Sequence, residues 1–351
     1  MERRRPKFQR SPERIRSRSI TECDLAILGV IQRYRIVSLP LLLKLVAFNP
    51  SVVQRRLRDL YDQSLVNRFA LPRLRGNVGV FHYYLDNPRA LDVLIERGGF
   101  SEESLDREFV RRNREKSYAN LLDTRHSQYR AGSLFWLQHE LAISSFHGAL
   151  ELACRHSNDN VQLSAWRQGA SLWTSVLAPS LTYDRAHETW RADGEPERLP
   201  HRPDALFSLR FPDKPDGQQD AHFFYEQDRG TTSAPEAFRR KLRAYFHSVV
   251  RHKQHREQYG IQRVRAVLVE AIDRKRARRL HEEAQHPAVC GGRPTPLFWF
   301  GVSETLHEPY PAPSAAGLTR SLPRFLVQPE RVLEKIWVPS VPNPTRCSLL
   351  D

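Results

Sequence analysis

Apolar residues recur at helical spacing near the start of the chain. Leu25, Leu28 and Ile31 follow Thr21 and Asp24, whose side chains suit a capping box, so a helix is expected to begin here. A second short helix is predicted over residues 37–46 with Ser38 as its cap. A third opens at Ser51 and places apolar residues on one face: Val53, Leu57, Leu60 and Tyr61.

Two strand-like runs follow these helices, at residues 66–71 and 80–85. The segment between them contains Gly76 and Asn77, which tolerate the positive φ angles of a tight turn, so the runs are predicted to form a hairpin. Three helices followed by a hairpin is the order of a winged helix-turn-helix. A short helix over 89–97 and a charged helical linker over 102–116 come next.

The exposed side of the third helix is predicted to be basic. Gln54, Arg55 and Arg58 lie off its apolar face, and Arg56 lies at the edge of that face. In a helix-turn-helix protein the equivalent helix enters the major groove of DNA, where Arg and Gln contact base edges or phosphates.

The hairpin and the acidic residues of the third helix also bear on whether this region binds DNA. Arg73 and Arg75, at the hairpin tip, would reach the adjacent DNA backbone or minor groove. Asp59 and Asp62 dilute the positive charge of the helix. The competing interpretation is therefore a solvated basic helix in a protein–protein module, such as a dimerisation platform.

From residue 131 the elements follow a different order. A long helix over 132–155 is followed by short strands at 161–166 and 172–177 and a polar loop near residues 193–196. Strands at 205–211, 221–228, 264–272 and 297–300 then alternate with helices at 235–258 and 274–283, the first capped by Ser233 and Glu236. This order predicts an α/β (α+β) sandwich with helices packed on a central mixed sheet.

Charge narrows the choice of partner. The 351 residues include 55 Lys and Arg against 40 Asp and Glu, and the net charge of +15 favours a polyanion, nucleic acid first. Residues 1–20 hold eight basic and two acidic residues, which predicts a disordered tail that either follows phosphates or only solubilises the chain. The absence of a long apolar run and the four widely spaced cysteines are typical of a soluble cytoplasmic protein.

Three carboxylates are predicted to gather where two strands pair. Asp204 precedes one strand, and Glu226 and Asp228 end the next on the same face, because side chains alternate along a strand. Hard cations such as Mg²⁺ bind oxygen clusters of this kind. The structural alternative is that Asp204 caps a turn and Asp228 pairs with Arg229.

The element order and these carboxylates resemble the core of the PD-(D/E)XK nuclease superfamily. The matching residues are Pro203-Asp204 and Glu226-Gln227-Asp228, and Glu140 on the long helix matches the first-helix carboxylate. The resemblance implies Mg²⁺ held by Asp204 and Glu226, with a water activated to attack a phosphodiester.

One position departs from that superfamily. Asp228 stands where its lysine is expected, which places an anion where a cation would stabilise the transition state. Lys241 on the following helix or Arg229 would supply the missing charge, or Asp228 would serve as another metal ligand. Otherwise the site binds nucleic acid without cutting it, and Lys241 and Tyr245 only shield apolar surface.

A longer set of motifs resembles the replication-relaxation family. A winged helix precedes four motifs: His139-x-Leu141, Pro203-Asp204-Ala205, Glu226-x-Asp228-Arg229-Gly230-Thr231 and Lys241-x-x-x-Tyr245. Members occur on plasmids and integrative mobile elements, and the family name refers to replication and DNA relaxation. The resemblance implies double-stranded DNA as a partner, together with replication or mobilisation proteins and a second copy of the chain.

The sequence thus predicts five segments: a basic tail (1–20), a winged helix (21–100), a helical linker (101–130), a nuclease-like α/β domain (131–303) and a Pro-rich tail (304–351). Three functions fit this organisation. The protein is a Mg²⁺-dependent endonuclease that nicks or cleaves DNA, a non-catalytic factor that positions DNA for a partner enzyme, or a winged-helix transcriptional regulator whose C-terminal domain dimerises.

Overall fold

A computed structural model of the chain describes residues 9–15, 19–70, 80–116, 131–157, 160–230, 235–303 and 329–351. The chain divides into two compact units, and the boundary between them lies at Gly148 and Ala149. This boundary falls inside a long helix, beyond the 101–130 segment that the sequence pattern marks as a linker. None of the helices in the described ranges is both long and apolar enough to cross a bilayer.

The first unit contains a three-stranded sheet and several short helices. In chain order the elements are α1 (Glu22–Tyr34), β1 (Ile36–Ser38), α2 (Leu39–Leu45), α3 (Pro50–Asp62), β2 (Asn67–Ala70), β3 (Phe81–Tyr84), α4 (Arg89–Gly98) and α5 (Arg107–Lys116). Strands β2 and β3 pair antiparallel, as the hairpin pattern predicts.

Strand β1 departs from the predicted 37–46 helix. It pairs antiparallel with the second edge of β3, and α2 begins only at Leu39, with Ser38 as the expected cap. A two-stranded hairpin alone is marginally stable, so the third strand completes the sheet. The predicted capping box of Thr21 and Asp24 is present, whereas α3 begins at Pro50, one residue early, behind Asn49.

A buried ion pair joins α1 to α3. The Arg56 guanidinium lies 2.8 Å from Asp24 Oδ1 and 2.5 Å from Oδ2, and it also donates to the Ser19 carbonyl at 3.0 Å. Asp24 is fully buried and Arg56 is 7% exposed. Because Asp24 Oδ2 also accepts the Thr21 N–H at 2.7 Å, one carboxylate caps α1 and fixes α3 to it.

Helix α5, which lies in the predicted linker, contributes to the core of the first unit. Phe109 clusters with residues of the sheet and of the following long helix: Ile36, Phe69, Tyr84, Leu137 and Leu141. Asn113 is buried and donates to the Leu85 carbonyl at 2.8 Å. The apolar face of α5 therefore packs as part of a domain.

Part of the predicted N-terminal tail also packs on this unit. The Arg10 guanidinium stacks over the Tyr61 ring at 4.4 Å and donates to the Val66 carbonyl at 3.2 Å. The backbone N–H of Ser11 donates to Asp62 at 3.0 Å. Residues 9–15 thus belong to the fold around α3, and the other charged residues of the tail, at positions 1–8 and 16–18, lie outside the described residues.

The second unit is built on a larger sheet, and α6 (Ala131–His156) crosses into it. Its other elements are β4 (Gln162–Gln168), β5 (Thr174–Ala178), β6 (Leu181–Asp184), β7 (Thr189–Ala192), β8 (Glu197–His201), β9 (Ala205–Arg210), β10 (Asp220–Asp228), α7 (Pro235–Phe246), a π-helical turn (His247–Arg251), α8 (Gln254–Tyr259), β11 (Val264–Ala271), α9 (Arg274–Ala284), α10 (Pro287–Cys290), β12 (Phe298–Val302) and β13 (Val338–Pro339).

The central sheet is mixed, as the element order predicts. Its six strands lie in the order β13-β12-β11-β10-β9-β4. Strands β4, β9 and β10 pair antiparallel, β10, β11 and β12 pair parallel, and β13 returns antiparallel at the edge. The coarse prediction of a mixed α/β architecture with a central mixed sheet is therefore confirmed.

Two regions of this unit carry more structure than the sequence predicts. The polar loop expected near residues 193–196 lies among two antiparallel pairs, β5–β8 and β6–β7. Strands β6 and β7 are largely exposed, so they lack the apolar alternation that reveals a strand. The predicted 235–258 helix is broken by the π-helical turn, and its predicted cap Ser233 lies outside the described residues.

The predicted Pro-rich tail contributes the edge strand. Val338 and Pro339 pair with Phe300 and Trp299, and the neighbouring Trp337 is fully buried. A Cβ atom at Gly301 would stand 2.7 Å from the Trp337 ring, so only glycine leaves room for it there. Residues 329–351 are thus part of the second unit.

We expect Asp24→Ala to lower the free energy of unfolding by about 3–5 kcal/mol, because it leaves the Arg56 guanidinium buried without its carboxylate. Thr21→Ala removes only the hydroxyl of the cap and should cost about 1 kcal/mol. Urea denaturation followed by circular dichroism compares them, with Glu22→Ala, exposed on the same helix, as the control. Equal losses for the first two variants would contradict a separate contribution of the ion pair.

Candidate site at the end of strand β10

Glu226 is a buried carboxylate held by two residues of α7. It is 3% exposed and lies near the end of β10, where it pairs in register with Val269 of β11. The Lys241 ammonium forms an ion pair with one carboxylate oxygen, and the Tyr245 hydroxyl donates to the other. Because positions four apart share one face of a helix, Lys241 and Tyr245 reach the same group.

The protonation of these residues follows from the burial of Glu226 and Tyr245 and from the charges around Lys241, whose side chain is 38% exposed. Burial and the nearby Asp204 carboxylate raise the pKa of Glu226 to about 8, against the lowering effects of Lys241 and Tyr245. For Lys241 burial acts to lower the pKa, but Glu226 and Asp204 outweigh it and the pKa is raised. Burial followed by the charge of Glu226 raises the pKa of Tyr245 well above its ordinary value, so Tyr245 remains a hydrogen-bond donor.

Asp204 lies beside Glu226 and also supports the sheet. Its Oδ2 accepts the backbone N–H of Gln227 at 2.9 Å, directly beyond the last β9–β10 pair, Ala205 with Tyr225. Asp204 therefore extends the ladder by one hydrogen bond, as the turn-cap interpretation expects. It also contributes to the negative field at Glu226, as the site interpretation expects.

Asp228 is bound by an arginine of α9. Arg276 Nε and Nη2 lie 2.7 and 2.9 Å from its two oxygens, a bidentate ion pair. Asp273 caps α9 by accepting the Arg276 N–H at 2.7 Å, so cap and ion pair hold the same turn. The predicted partner Arg229 instead interacts with Glu270, and burial lowers the pKa of Arg229 to about 10.

The opposite face of β10 carries a second polar network that the sequence analysis missed. The Tyr225 hydroxyl lies 2.6 Å from Gln227 Oε1 and 2.8 Å from Glu270 Oε2, and the Ser303 hydroxyl donates to Glu270 Oε1 at 2.5 Å. Glu270 is 1% exposed. Its signal in the sequence is a lone carboxylate in the apolar run 264–272, where a buried charge needs partners.

His201 is a further neighbour of the site that the sequence did not reveal. Its ring packs edge-on against Tyr245 at 4.6 Å and against Phe224 at 5.5 Å. Burial and the Lys241 charge lower the pKa of His201 to about 3, so the imidazole is neutral. The residue ends β8, a strand that the sequence pattern did not predict.

Glu140 lies in the first unit and interacts with Arg35 there. Its Oε2 is 3.5 Å from Arg35, which also pairs with Asp106 at 2.5 Å. Within the described ranges, no group of three or more His, Cys, Asp or Glu side chains is arranged to hold a metal ion. The charged side chains around Glu226 at the end of β10 are Asp204 and Lys241, and Asp228, paired with Arg276, also acts on Lys241.

The structure separates the basic residues predicted on α3. Arg55 and Arg58 are exposed and Gln54 is partly exposed, whereas Arg56 is buried in its ion pair with Asp24 and does not belong to the exposed face. Asp59 and Asp62 are 4% and 3% exposed, so they do not dilute the surface of the helix as expected. Arg73 and Arg75 lie outside the described residues.

These features define a mixed α/β protein in which a unit with a three-stranded sheet is followed by a unit with a six-stranded mixed sheet. The chain matches the family model described as replication-relaxation over residues 28–264, more than half its length, and it belongs to this family. The family indicates a role in replication or relaxation of mobile elements. Comparison with curated proteins and with solved structures gives no significant match.

The raised pKa of Glu226 makes a pH prediction. Between about pH 4.3, the ordinary value for Glu, and about pH 8, the folded protein holds a proton that the unfolded chain has released. This contribution to stability is complete below the lower value and is lost as the pH rises through the upper one. Glu226→Gln removes this contribution. As the pH rises between the two values, the free energy of unfolding of the variant should therefore increase relative to that of wild type by up to about 1.4 kcal/mol per pH unit.

Denaturant unfolding of the two proteins across this window, in buffer with a chelator, measures that difference. Glu195→Gln, at an exposed position, is the matched control and should run parallel to wild type. A constant difference between Glu226→Gln and wild type over the whole window would contradict the raised pKa.

Proposed function

We propose that this protein binds double-stranded DNA of a plasmid or integrative mobile element and acts on it during replication or relaxation. In this proposal the first unit is a winged helix that docks on the duplex. The second unit is a PD-(D/E)XK-like domain that carries a phosphodiester-directed site. The observation that carries the proposal is the exposed, wholly basic charge of α3 in a member of the replication-relaxation family.

The order of elements supports the winged-helix assignment. Helix α1, strand β1, helices α2 and α3 and the β2–β3 hairpin follow the order of that fold, with β1 closing the small sheet. Helix α3 is then the helix that enters the major groove. Its exposed charges are Arg55 and Arg58, while both of its acids are buried.

We expect Arg55→Ala combined with Arg58→Ala to weaken binding to duplex DNA and to reduce the slope of log K against log salt by about 2, since each lost phosphate contact removes about 0.9. Fluorescence anisotropy with a labelled duplex over a salt series measures both. Arg89→Ala combined with Arg97→Ala, two exposed arginines of α4, is the matched control. Unchanged affinity and slope would exclude α3 from the interface.

The second unit supports a nuclease-like site by its topology and its charges. Helix α6, the antiparallel strands β4, β9 and β10, helix α7 and the parallel strand β11 follow the element order of the PD-(D/E)XK core, with strands β5 to β8 inserted between β4 and β9. Asp204 and Glu226 occupy its two acidic positions. Lys241 reaches Glu226 from α7 and so supplies the cation that Asp228 does not.

The pair of carboxylates fits a magnesium ion. Mg²⁺ binds through one or two carboxylates, with water and phosphate oxygens as its other ligands. Asp204 and Glu226 are close enough for one to raise the pKa of the other, which is the repulsion that a bound cation relieves. When bound, such a cation lowers the pKa of water and offsets charge on a phosphate.

The residues of the chain have separate roles in this proposal. Glu226 would hold the cation together with Asp204, and the charge of the cation would favour the ionised form of Glu226. The Lys241 ammonium stabilises negative charge that develops on the phosphate oxygens. Tyr245 donates to Glu226 and orients it, and Asp228 fixes α9 through Arg276.

We expect the wild-type protein to nick supercoiled plasmid in Mg²⁺ or Mn²⁺, and Glu226→Gln and Lys241→Met to reduce the rate by about 100-fold or more. Agarose gels over a time course report the nicked and linear forms. Glu195→Gln and Lys214→Met change exposed residues of the same types and should keep the rate. Intact plasmid with wild type in both metals would instead favour a non-catalytic factor or a regulator.

A further inference from the structure

A basic cavity lies in the second unit at the end of the sheet opposite Glu226. It has a volume of about 500 Å³ and opens where β11 and β12 begin, beside the π-helical turn and α8. Its lining includes four cations: Lys253, Arg256, Arg263 and Arg265. Of the described residues that line it, none is a carboxylate.

Among the described residues, no carboxylate pairs with these cations. None of the four forms an ion pair within the part of the chain that the structure describes. Arg256 donates to the Gln262 carbonyl at 3.2 Å, and Arg265 lies 5.8 Å from the Trp299 ring centroid. Lys253, Arg256 and Arg263 are exposed, so each of them can contact a ligand.

The electrostatic field inside the cavity is positive, as its basic lining predicts. Burial and the charges of Arg256, His222 and Lys253 lower the pKa of the buried His255, which also lines the cavity. Lys253 has a φ of 54°, a left-handed conformation that a lysine adopts at some cost in energy.

We propose that this cavity binds phosphates of a DNA duplex backbone at a site separate from α3 and from Glu226, an inference that rests on the proposed function. Trp299 is 6% exposed and covered by Arg265, so phosphates rather than stacked bases suit the cavity. The strand register puts Val264 at the cavity and Val269 beside Glu226, roughly 16 Å apart at about 3.3 Å per residue.

The test compares full-length variants by anisotropy with a labelled DNA duplex over a salt series. Lys253→Asn combined with Arg263→Gln removes two cations, and Asn tolerates the left-handed backbone. We expect roughly tenfold weaker binding near 0.1 M salt and a slope smaller by about 2. The control Arg185→Gln combined with Lys214→Gln removes two exposed cations elsewhere in this unit and should bind as wild type does.

A charge-preserving variant, Lys253→Arg combined with Arg263→Lys, should keep affinity and slope and so separates charge from folding. Wild-type affinity and slope in the Lys253→Asn, Arg263→Gln variant would overturn the inference, while leaving the proposed function in place. Failure of wild type to bind any duplex would overturn both. A third result would also overturn the inference: wild type binds pyrophosphate, the Lys253→Asn, Arg263→Gln variant does not, and the salt slope for DNA is the same in both. The cavity would then be a site for a free phosphate compound.

Discussion

A carboxylate buried beneath a helix is the constraint on which the second unit depends. Glu226 is nearly inaccessible to water, and a buried carboxyl group without a partner is destabilising whether or not it is ionised. Lys241 and Tyr245 supply the partners from one face of α7, so this helix can pack on β10 in only one rotation. The Asp228–Arg276 pair fixes α9 in the same way, because Asp228 is the next residue of β10 on the same face as Glu226. The geometry of the candidate site is thus also the geometry of the fold.

The basic character of the chain follows from where its acids lie. Asp24, Asp59 and Asp62 are buried in the first unit, and Glu226 and Glu270 are buried in the second. Each has at least one polar or charged partner inside the protein, which leaves lysine and arginine to dominate several surfaces. Besides α3 and the basic cavity, α9 exposes a run of cations: Arg274, Lys275, Arg278 and Arg279. The ion pair of Asp228 with Arg276 anchors α9. This acid therefore helps to position the basic surface that α9 exposes.

Local patterns predicted the elements that local forces determine. Alternation along β10 correctly assigned Glu226 to one face and Tyr225 and Gln227 to the other, because strand geometry alone decides it. The caps at Thr21 and Ser38 were predictable for a similar reason. Arg56 was misplaced because its partner Asp24 lies 32 residues away, and Arg276 was missed because it meets Asp228 across 48 residues. Periodicity contains no information on such pairs, and β6 and β7, exposed on both faces, have no periodicity to detect.

The edge strand β13 ties the completion of the sheet to the last part of the chain. Until Pro339 has left the ribosome, β12 has an open edge and the pocket above Gly301 lacks its tryptophan. An unpaired, apolar edge is the feature by which sheets join one another during synthesis, so β12 is open to such pairing until β13 is made. A truncation before Trp337 would make the transient edge permanent.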